Sequence, residues 1–192
     1  MYEAINQYVS HCHTFAPDEL LLFNELLRVR KAGKRQLLLR EGEICDFEAY
    51  LVKGCTKTYY IDHNGFEVIW QFAVEDWWVS DIAAFHSQTP SRFFIETLEP
   101  CELLTLSLPD KEKLLDAVPK FERVFRLMVQ RHLAATQNRL IDQMTHQAQE
   151  RYLTFLAQYP QIAHRVPQHQ IAAYLGISPE FLSKIRQKIA KR

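Results

Sequence analysis

The spacing of apolar residues predicts one helix, then a β-rich region, then further helices. Leu20, Phe23 and Leu27 recur at helical spacing after Pro17, which predicts a helix over residues 17–30. From about residue 33 to about residue 108 the apolar runs are short and alternate with turn residues, as in an antiparallel sandwich or barrel. The candidate strands cover residues 37–39, 49–52, 56–61, 66–72, 94–98 and 103–106.

Asn64-Gly65 separates two of these strand-like runs and is a specific hairpin signal. A type I′ turn needs positive φ at both central residues, and Asn-Gly is the dipeptide that meets this need most often. The sequence therefore predicts a β-hairpin with a type I′ turn at this point.

Helical spacing returns after Pro109 and predicts helices over residues 110–117, 120–146 and 148–158. The second of these would be about 40 Å long at 1.5 Å per residue. Its apolar side chains occupy more than one narrow stripe. One face is predicted to pack on the β-rich region and another on a second copy of the helix. The alternative is that both faces pack within one chain.

Residues 168–187 have the pattern of a helix-turn-helix. Gly176 supplies the positive φ that ends the first helix. Ser178 is placed to cap the second helix, and Pro179 suits the first position of that helix because no amide donor is needed there. The apolar residues predicted to fix the two helices against each other are Ile171, Ala172, Leu175, Ile177, Leu182 and Ile185.

The outward face of the second helix is the candidate DNA-reading surface. Residues near the start of a recognition helix reach base edges, and basic residues further along meet phosphates. Lys184 is a candidate donor to guanine and Glu180 a candidate acceptor from cytosine. Phe181 is a candidate contact for a thymine methyl group, with packing as its alternative role. The predicted DNA-binding residues, with Gln168 and His169 assigned to backbone contacts, are Gln168, His169, Ser178, Glu180, Phe181, Ser183, Lys184, Arg186 and Lys188.

The distribution of charge supports a polyanionic partner for the C-terminal part. The 192 residues hold 23 Lys+Arg and 23 Asp+Glu, so the formal net charge is zero. Residues 1–118 contain 11 basic and 19 acidic residues, a balance of −8, whereas residues 119–192 contain 12 and 4, a balance of +8. Such asymmetry favours a basic module that faces nucleic acid, although charge alone does not identify one.

Composition and motifs argue against several other classes of protein. Hydrophobic residues make up 47%, which is enough for a folded core. No apolar run reaches the roughly 18 residues of a membrane span, and the N-terminus does not resemble a signal peptide. A cytoplasmic protein with no membrane partner is therefore expected. A Gly-rich phosphate loop, a nucleophile elbow and a His-Glu-x-x-His pattern are all absent from the sequence, so no enzymatic activity and no catalytic residues are predicted.

The cysteines do not predict a disulfide framework or a metal site. They are widely spaced, and the triplet His11-Cys12-His13 is the one dense group of soft ligands. Adjacent side chains rarely converge on one ion, so no metal is predicted. The four cysteines are Cys12, Cys45, Cys55 and Cys101.

The order of β-rich region, long helix and helix-turn-helix resembles the Crp/Fnr family of bacterial transcription regulators. Turn glycines in Arg40-Glu41-Gly42-Glu43, Val52-Lys53-Gly54 and His63-Asn64-Gly65 support this, and residues 173–180 are similar to the helix-turn-helix of one branch. The resemblance implies an α+β fold with three parts. These are a cyclic-nucleotide-binding-like antiparallel β-roll sensor domain over residues 1–118, a dimerisation helix over 119–147, and a helical (winged) helix-turn-helix DNA-binding domain over 148–192.

The resemblance also implies a homodimer that binds double-stranded DNA, with RNA polymerase and a small-molecule effector as further candidate partners. The wing looks reduced, because only residues 161–166 separate the preceding helix from the helix-turn-helix. The function predicted is sequence-specific transcription regulation. The alternative is a ligand-sensing module whose C-terminal domain contacts protein rather than DNA.

The ligand cassette of the family falls at positions where this chain departs from the pattern. Members that bind cyclic nucleotides carry Gly-Glu-Leu and then an Arg followed by a small residue; the Glu accepts from the ribose and the Arg pairs with the cyclic phosphate. Here Ser80 replaces the Gly and Asp81 the Glu, while Ser91 stands at the Arg position and Arg92 follows one residue later. The candidate ligand-binding residues are Ser80, Asp81, Ile82, Ser91 and Arg92.

These departures leave the cofactor unidentified. A cyclic nucleotide is disfavoured because the main phosphate anchor is displaced, so another small ligand or none is expected. Members that hold an iron–sulfur cluster use several N-terminal cysteines, and only Cys12 lies there, so no cluster is expected. Haem stays an open alternative that no motif supports.

Overall fold

The computed structural model describes residues 1–190, so residues 191 and 192, the end of the predicted segment 148–192, lie outside the described part. The helices are α1 (Glu3–Ser10), α2 (Pro17–Leu26), α3 (Ile82–Ser87), α4 (Leu108–Ala117), α5 (Phe121–Thr145), α6 (Ala148–Gln158), α7 (Pro160–Arg165), α8 (Gln168–Leu175) and α9 (Pro179–Ala190). The strands are β1 (Arg28–Ala32), β2 (Leu37–Leu39), β3 (Glu48–Lys53), β4 (Thr56–Ile61), β5 (Glu67–Ala73), β6 (Trp78–Val79), β7 (Phe94–Thr97) and β8 (Cys101–Leu106).

The strands form two four-stranded antiparallel sheets, as the β-rich pattern predicts. One sheet has the order β1-β8-β3-β6 and the other the order β2-β7-β4-β5. Side chains of both sheets make a buried cluster that includes Leu39, Leu51 and Leu103, and Phe85 of α3 and Phe47 belong to the same cluster. Antiparallel pairing of short strands around such a core is the β-roll that the resemblance implies. The predicted α+β fold is confirmed.

The predicted helix over residues 17–30 is too long. It ends at Leu26, and Leu27 is already extended with φ −79° and ψ 138°. Residues 28–32 form β1 instead, because they pair with β8 in the register Arg28–Thr105 to Ala32–Cys101. The pairing partners lie 69 to 77 residues away along the chain, so helical spacing within the segment gave no sign of them.

The hairpin at Asn64-Gly65 is confirmed, but the predicted turn type is wrong. Gly65 has φ +83°, whereas Asn64 is not among the residues with positive φ. The Gly65 amide donates to the Asp62 carbonyl, and the Asp62 amide donates to the Phe66 carbonyl. The Asp62 carboxylate also accepts from the Asn64 and Phe66 amides, each at 2.9 Å. This is a type I turn followed by a glycine bulge, which the Asp62 side chain stabilises.

The long helix α5 matches the prediction over residues 120–146 closely and presents two different faces. Its N-terminal half buries Phe121, Val124, Phe125 and Met128 against the N-terminal helices and the β-roll. At 100° per residue these side chains form one stripe, and Ala135 and Arg139 continue it toward the end of the helix. A second stripe on the other side is exposed and apolar, and contains Val129, Leu133, Leu140, Ile141 and Met144.

The C-terminal helices pack on the second sheet through a third apolar cluster. Tyr152, Phe155, Ile162 and Ile171 are buried there together with Phe72 of β5. The helix-turn-helix is therefore docked on the β-roll. Within residues 1–190, no helix combines the length and hydropathy needed to cross a bilayer.

Candidate DNA-binding surface and ligand cassette

The helix-turn-helix forms as its turn chemistry predicts. Gly176 has φ +67° and ends α8, and the Ile177 amide donates to the Ala172 carbonyl. Ser178 accepts from the Phe181 amide at 3.2 Å and so caps α9. Ile171, Ala172, Leu175, Leu182 and Ile185 are all buried in one cluster. These contacts fix the angle between α8 and α9 and leave the opposite side of α9 in solvent.

Most of the predicted DNA-binding side chains are exposed. On α9, Leu182 and Ile185 face inward, and the residues between and beyond them face outward. Phe181 is 49% exposed, so it is not a core residue. The exposed predicted residues are His169, Ser178, Glu180, Phe181, Ser183, Lys184, Arg186 and Lys188.

Gln168 differs from the other predicted residues because it is only partly exposed. Its Oε1 is buried and has no hydrogen-bond partner among the described residues. His169, which follows it, is exposed at the start of α8. The first turn of α8 thus has one exposed side chain and one half-buried amide.

Gln187 is an outward residue that the sequence prediction missed. It lies seven residues after Glu180 and three after Lys184, so at 100° per residue the three share the most outward stripe of α9. Gln187 is exposed. The spacing 180, 184 and 187 is the signal that would have found it, and a glutamine can pair with adenine through two hydrogen bonds.

The carboxyl of Glu180 is held ionised by the first turn of α9. Its own backbone amide and the Ser178 hydroxyl donate to it and lower its pKa, and Lys184 lowers it further. An ionised carboxylate at the start of a helix is favourable because the first amides have no partner inside the helix. The outward face therefore carries one fixed acceptor beside the basic side chains.

In the ligand cassette, Asp81 and Ser91 are bonded to each other. The Ser91 hydroxyl donates to the Asp81 carboxylate at 2.8 Å, and both residues are buried. Asp81 also accepts from the Ala84 amide and caps α3. The Ser91 backbone is tied on both sides, since its amide donates to the Glu43 carbonyl and its carbonyl accepts from the Gly42 amide, each at 2.8 Å.

The other predicted cassette residues are not aimed at a common ligand. The Ser80 hydroxyl donates to the Phe47 carbonyl at 2.9 Å, and Ile82 is half-buried in the first turn of α3. Arg92 is exposed, whereas Ser91 beside it is buried. A one-residue shift thus leaves the guanidinium exposed, whereas the buried position to which the family pattern assigns the phosphate-binding arginine holds Ser91.

Residues 29–117 match the family model described as the cyclic nucleotide-binding domain. Among solved structures, CLP of Xanthomonas campestris, a c-di-GMP responsive global regulator, has a TM-score of 0.74 at 17% identity and covers 92% of each chain. FixK2 from Bradyrhizobium japonicum has a TM-score of 0.76 at 17% identity, over 86% of this chain and 85% of that one. A Crp/Fnr transcriptional regulator from Eubacterium rectale has a TM-score of 0.72 at 12% identity, over 92% of this chain and 84% of that one.

The chain has the Crp/Fnr regulator fold. The resemblance inferred from the sequence is confirmed at this level, because the β-roll, the long helix and the C-terminal helices all align. Two of these structures, those from Xanthomonas campestris and Eubacterium rectale, are described as regulators. No match was found among curated protein sequences.

Within this Crp/Fnr fold, Arg139 of α5 ties the helix-turn-helix to the β-roll. Its guanidinium donates to the Tyr174 carbonyl at 2.8 Å, to the Ile69 carbonyl at 2.9 Å and to the Trp70 carbonyl. It also lies 3.9 Å from the centre of the Tyr174 ring. A single side chain of the long helix therefore contacts both β5 and α8.

Arg165 of α7 makes a second connection, through charge. Its guanidinium donates to both oxygens of Glu75, at 2.6 and 3.0 Å, and to Glu99. Burial alone would raise the pKa of Glu75, but the Arg165 and Gly54 donors lower it to about 2. The same two carboxylates raise the pKa of Arg165. This network holds α7 against the edge of the β-roll.

Proposed function

We propose that the protein is a homodimeric, sequence-specific DNA-binding transcription regulator of the Crp/Fnr type. The observation that carries this proposal is the outward face of α9, where Glu180, Lys184 and Gln187 are exposed while Leu182 and Ile185 are buried. Such a face has the polar side chains that base edges require, and Arg186 and Lys188 add charge for phosphates.

The proposed dimer uses the exposed apolar stripe of α5. Leu133 and Leu140 are seven residues apart and 54% and 56% exposed, and Met144, four residues after Leu140, is 78% exposed. This is the spacing at which two helices bury each other's side chains in a coiled coil. Two copies would present two α9 helices, so the operator should be roughly palindromic with half-sites about 34 Å apart.

A cyclic nucleotide is not the proposed effector. The carboxylate of Asp81 already accepts from Ser91 and from the Ala84 amide, and Arg92 is exposed rather than buried beside them. A cyclic phosphate placed here would meet a buried carboxylate without a facing cation, which is unfavourable. Calorimetric titration with cyclic AMP and cyclic GMP should give no binding heat.

The experiment that tests the function is a mobility-shift assay of the full chain with genomic fragments. We expect selective retention of some fragments at low salt and a steep loss of affinity as salt rises, because Lys and Arg release counterions from DNA. Retention of no fragment above the level of random DNA would contradict the proposal. It would favour the alternative, in which the exposed Phe181 and its neighbours contact a protein.

A further inference from the structure

A cleft of about 260 Å³ lies where α5 meets α6 and α8. A smaller cavity of about 90 Å³ extends it toward β5, and the two share Ala135, Arg139, Phe155, Tyr159 and Tyr174. Asp81 and Ser91 line neither of them. At 100° per residue the cleft lies on the side of α5 opposite the exposed apolar stripe, so the proposed dimer leaves it open.

The walls of the cleft are aromatic. Phe155 lies 5.2 Å from Tyr174 and 5.6 Å from Tyr159 between ring centres. Burial raises the pKa of Tyr174 to about 12 and also raises that of Tyr159, so both rings are neutral at pH 7. Walls of this kind favour a planar, largely apolar group that can stack or pack edge-on.

Two guanidinium groups line the same cleft, and both donate to backbone carbonyls. Arg139 donates to three backbone carbonyls, as described above. Arg151 donates to the carbonyls of Gln143, His146 and Leu175 at 3.2 to 3.4 Å. Among residues 1–190, neither arginine has an ion pair with a carboxylate.

One hydrogen-bond donor at the cleft is unused. The Nε of Arg151 is buried and has no acceptor among the described residues. Leaving such a donor unpaired costs free energy that an acceptor would recover. Asp142 also lines the cleft, and its Oδ1 lies 3.1 Å from the Nδ1 of His146. The two guanidinium groups outnumber this carboxylate, so the balance of charge at the cleft is positive.

We propose that this cleft binds a small carboxylate that carries one aromatic ring. The carboxylate would accept from Arg151 and lie near Arg139, and the ring would pack among Phe155, Tyr159 and Tyr174. A planar guanidinium can donate two parallel hydrogen bonds, so it fits the two oxygens of a carboxylate better than one isolated acceptor atom. The volume is just below the roughly 300 Å³ at which ligand pockets usually begin, which limits the ligand to a single ring.

A ligand in this cleft would contact the long helix and the helix-turn-helix at once. Arg139 belongs to α5, Arg151 to α6 and Tyr174 to α8. Binding would therefore favour the arrangement in which α8 is docked on α5, and disfavour any other orientation of α9. The regulatory part of this inference rests on the proposed function, whereas the binding of the ligand does not.

Calorimetry and thermal unfolding of the full chain test the site, with benzoate, salicylate and 4-hydroxybenzoate as probes and benzamide as the uncharged control. We expect at least one of the carboxylates to bind with one site per chain and to raise the Tm, while benzamide does neither. Arg151→Gln should weaken that binding about tenfold or more, equivalent to ~1.4 kcal/mol. Ala135→Phe should abolish it by filling the cleft, provided that its circular dichroism matches the parent.

Arg126→Gln is the matched control, since Arg126 is an exposed arginine of α5 that does not line the cleft, and it should leave carboxylate binding unchanged. The proposal is overturned if none of the three carboxylates binds, or if Arg151→Gln and a folded Ala135→Phe bind as the parent does. It is likewise overturned if Arg126→Gln weakens binding as much as Arg151→Gln does, because the loss would then follow the net charge rather than the cleft. Carboxylate binding without any DNA binding would refute the proposed function and leave the ligand site standing.

Discussion

At the scale of single residues, Lys184 and Lys188 have different positions on α9 and should have different effects on DNA binding. Lys184 lies on the most outward stripe with Glu180, whereas Lys188 lies beyond it, toward the end of the helix. Lys184→Ala should reduce the preference for the operator over a scrambled site by about 1–3 kcal/mol. Lys188→Ala should weaken binding to both sites equally. It should also reduce the slope of log affinity against log salt concentration by about one.

Fluorescence anisotropy with the two DNA duplexes at several salt concentrations measures both effects. Lys113→Ala is the matched control, since Lys113 is an exposed lysine of α4, far along the chain from the helix-turn-helix. Equal loss of affinity for operator and scrambled DNA in Lys184→Ala would assign that residue to phosphate rather than to base contact.

The bond between Ser91 and Asp81 belongs to the same scale and is a stability feature of the cassette. Ser91→Ala leaves a buried carboxylate with one donor fewer, and the expected loss in the free energy of unfolding is about 1–3 kcal/mol. Urea denaturation measures it. Ser87→Ala removes an exposed serine hydroxyl nearby and should change stability little. If the two variants lose similar amounts of unfolding free energy, the buried bond between Ser91 and Asp81 contributes no more than an exposed hydroxyl does.

At the scale of elements, Arg139 should control how firmly α8 is docked on β5. Arg139→Met removes the donors to Ile69, Trp70 and Tyr174 and the contact with the Tyr174 ring. We expect a loss of about 2–3 kcal/mol of stability, because donors to carbonyls are charged and the ring contact adds to them. Hydrogen exchange should accelerate in α8 and α9 more than in β3 and β8.

Arg126→Met is the control for this prediction, because Arg126 is an exposed arginine of the same helix that donates to Gln130. It should leave exchange in α8 unchanged. Equal acceleration in all strands and helices of Arg139→Met would show that the residue stabilises the whole fold rather than this junction.

The network of Arg165 with Glu75 should make the docking of α7 sensitive to acid. The folded pKa of Glu75, about 2, is below its ordinary value of 4.5. Its contribution to stability is therefore complete above pH 4.5 and is lost as the pH falls from about 4.5 toward about 2. Between pH 7 and pH 3, the Tm of the parent should fall further than the Tm of Glu75→Gln. Differential scanning calorimetry measures both changes.

Glu112→Gln removes an exposed carboxylate of α4 and should lose as much Tm over that pH range as the parent. If Glu75→Gln behaves in the same way as Glu112→Gln, the network does not account for the acid sensitivity.

At the scale of the whole molecule, the exposed stripe of α5 should decide whether the protein is a dimer. Leu140→Glu places a charge at the centre of that stripe, where a partner helix would bury it without an opposing charge. We expect a monomer by size-exclusion chromatography with light scattering, and a loss of operator affinity because only one α9 can then bind. Leu21→Glu places the same charge at a leucine of α2 that is 59% exposed, and it should leave the mass unchanged. A monomeric parent would contradict the prediction directly.

The sequence by itself determined the elements whose signals are local. The change of apolar spacing located the strands and α5, and Gly176, Ser178 and Pro179 located the turn between α8 and α9. These signals are sufficient because caps, turns and buried faces depend on residues a few positions apart. The same locality explains why the outward face of α9 could be named in advance except for Gln187.

Only the tertiary structure decided the features that join distant parts of the chain. Residues 28–32 became a strand because β8 pairs with them, and Ser91 closed the cassette on Asp81 although the family pattern has an arginine there. Arg139 and Arg151 reached one cleft from α5 and α6. The physical reason is that each of these depends on a hydrogen-bond or packing partner remote in sequence, and neither propensity nor spacing specifies which partner will be near.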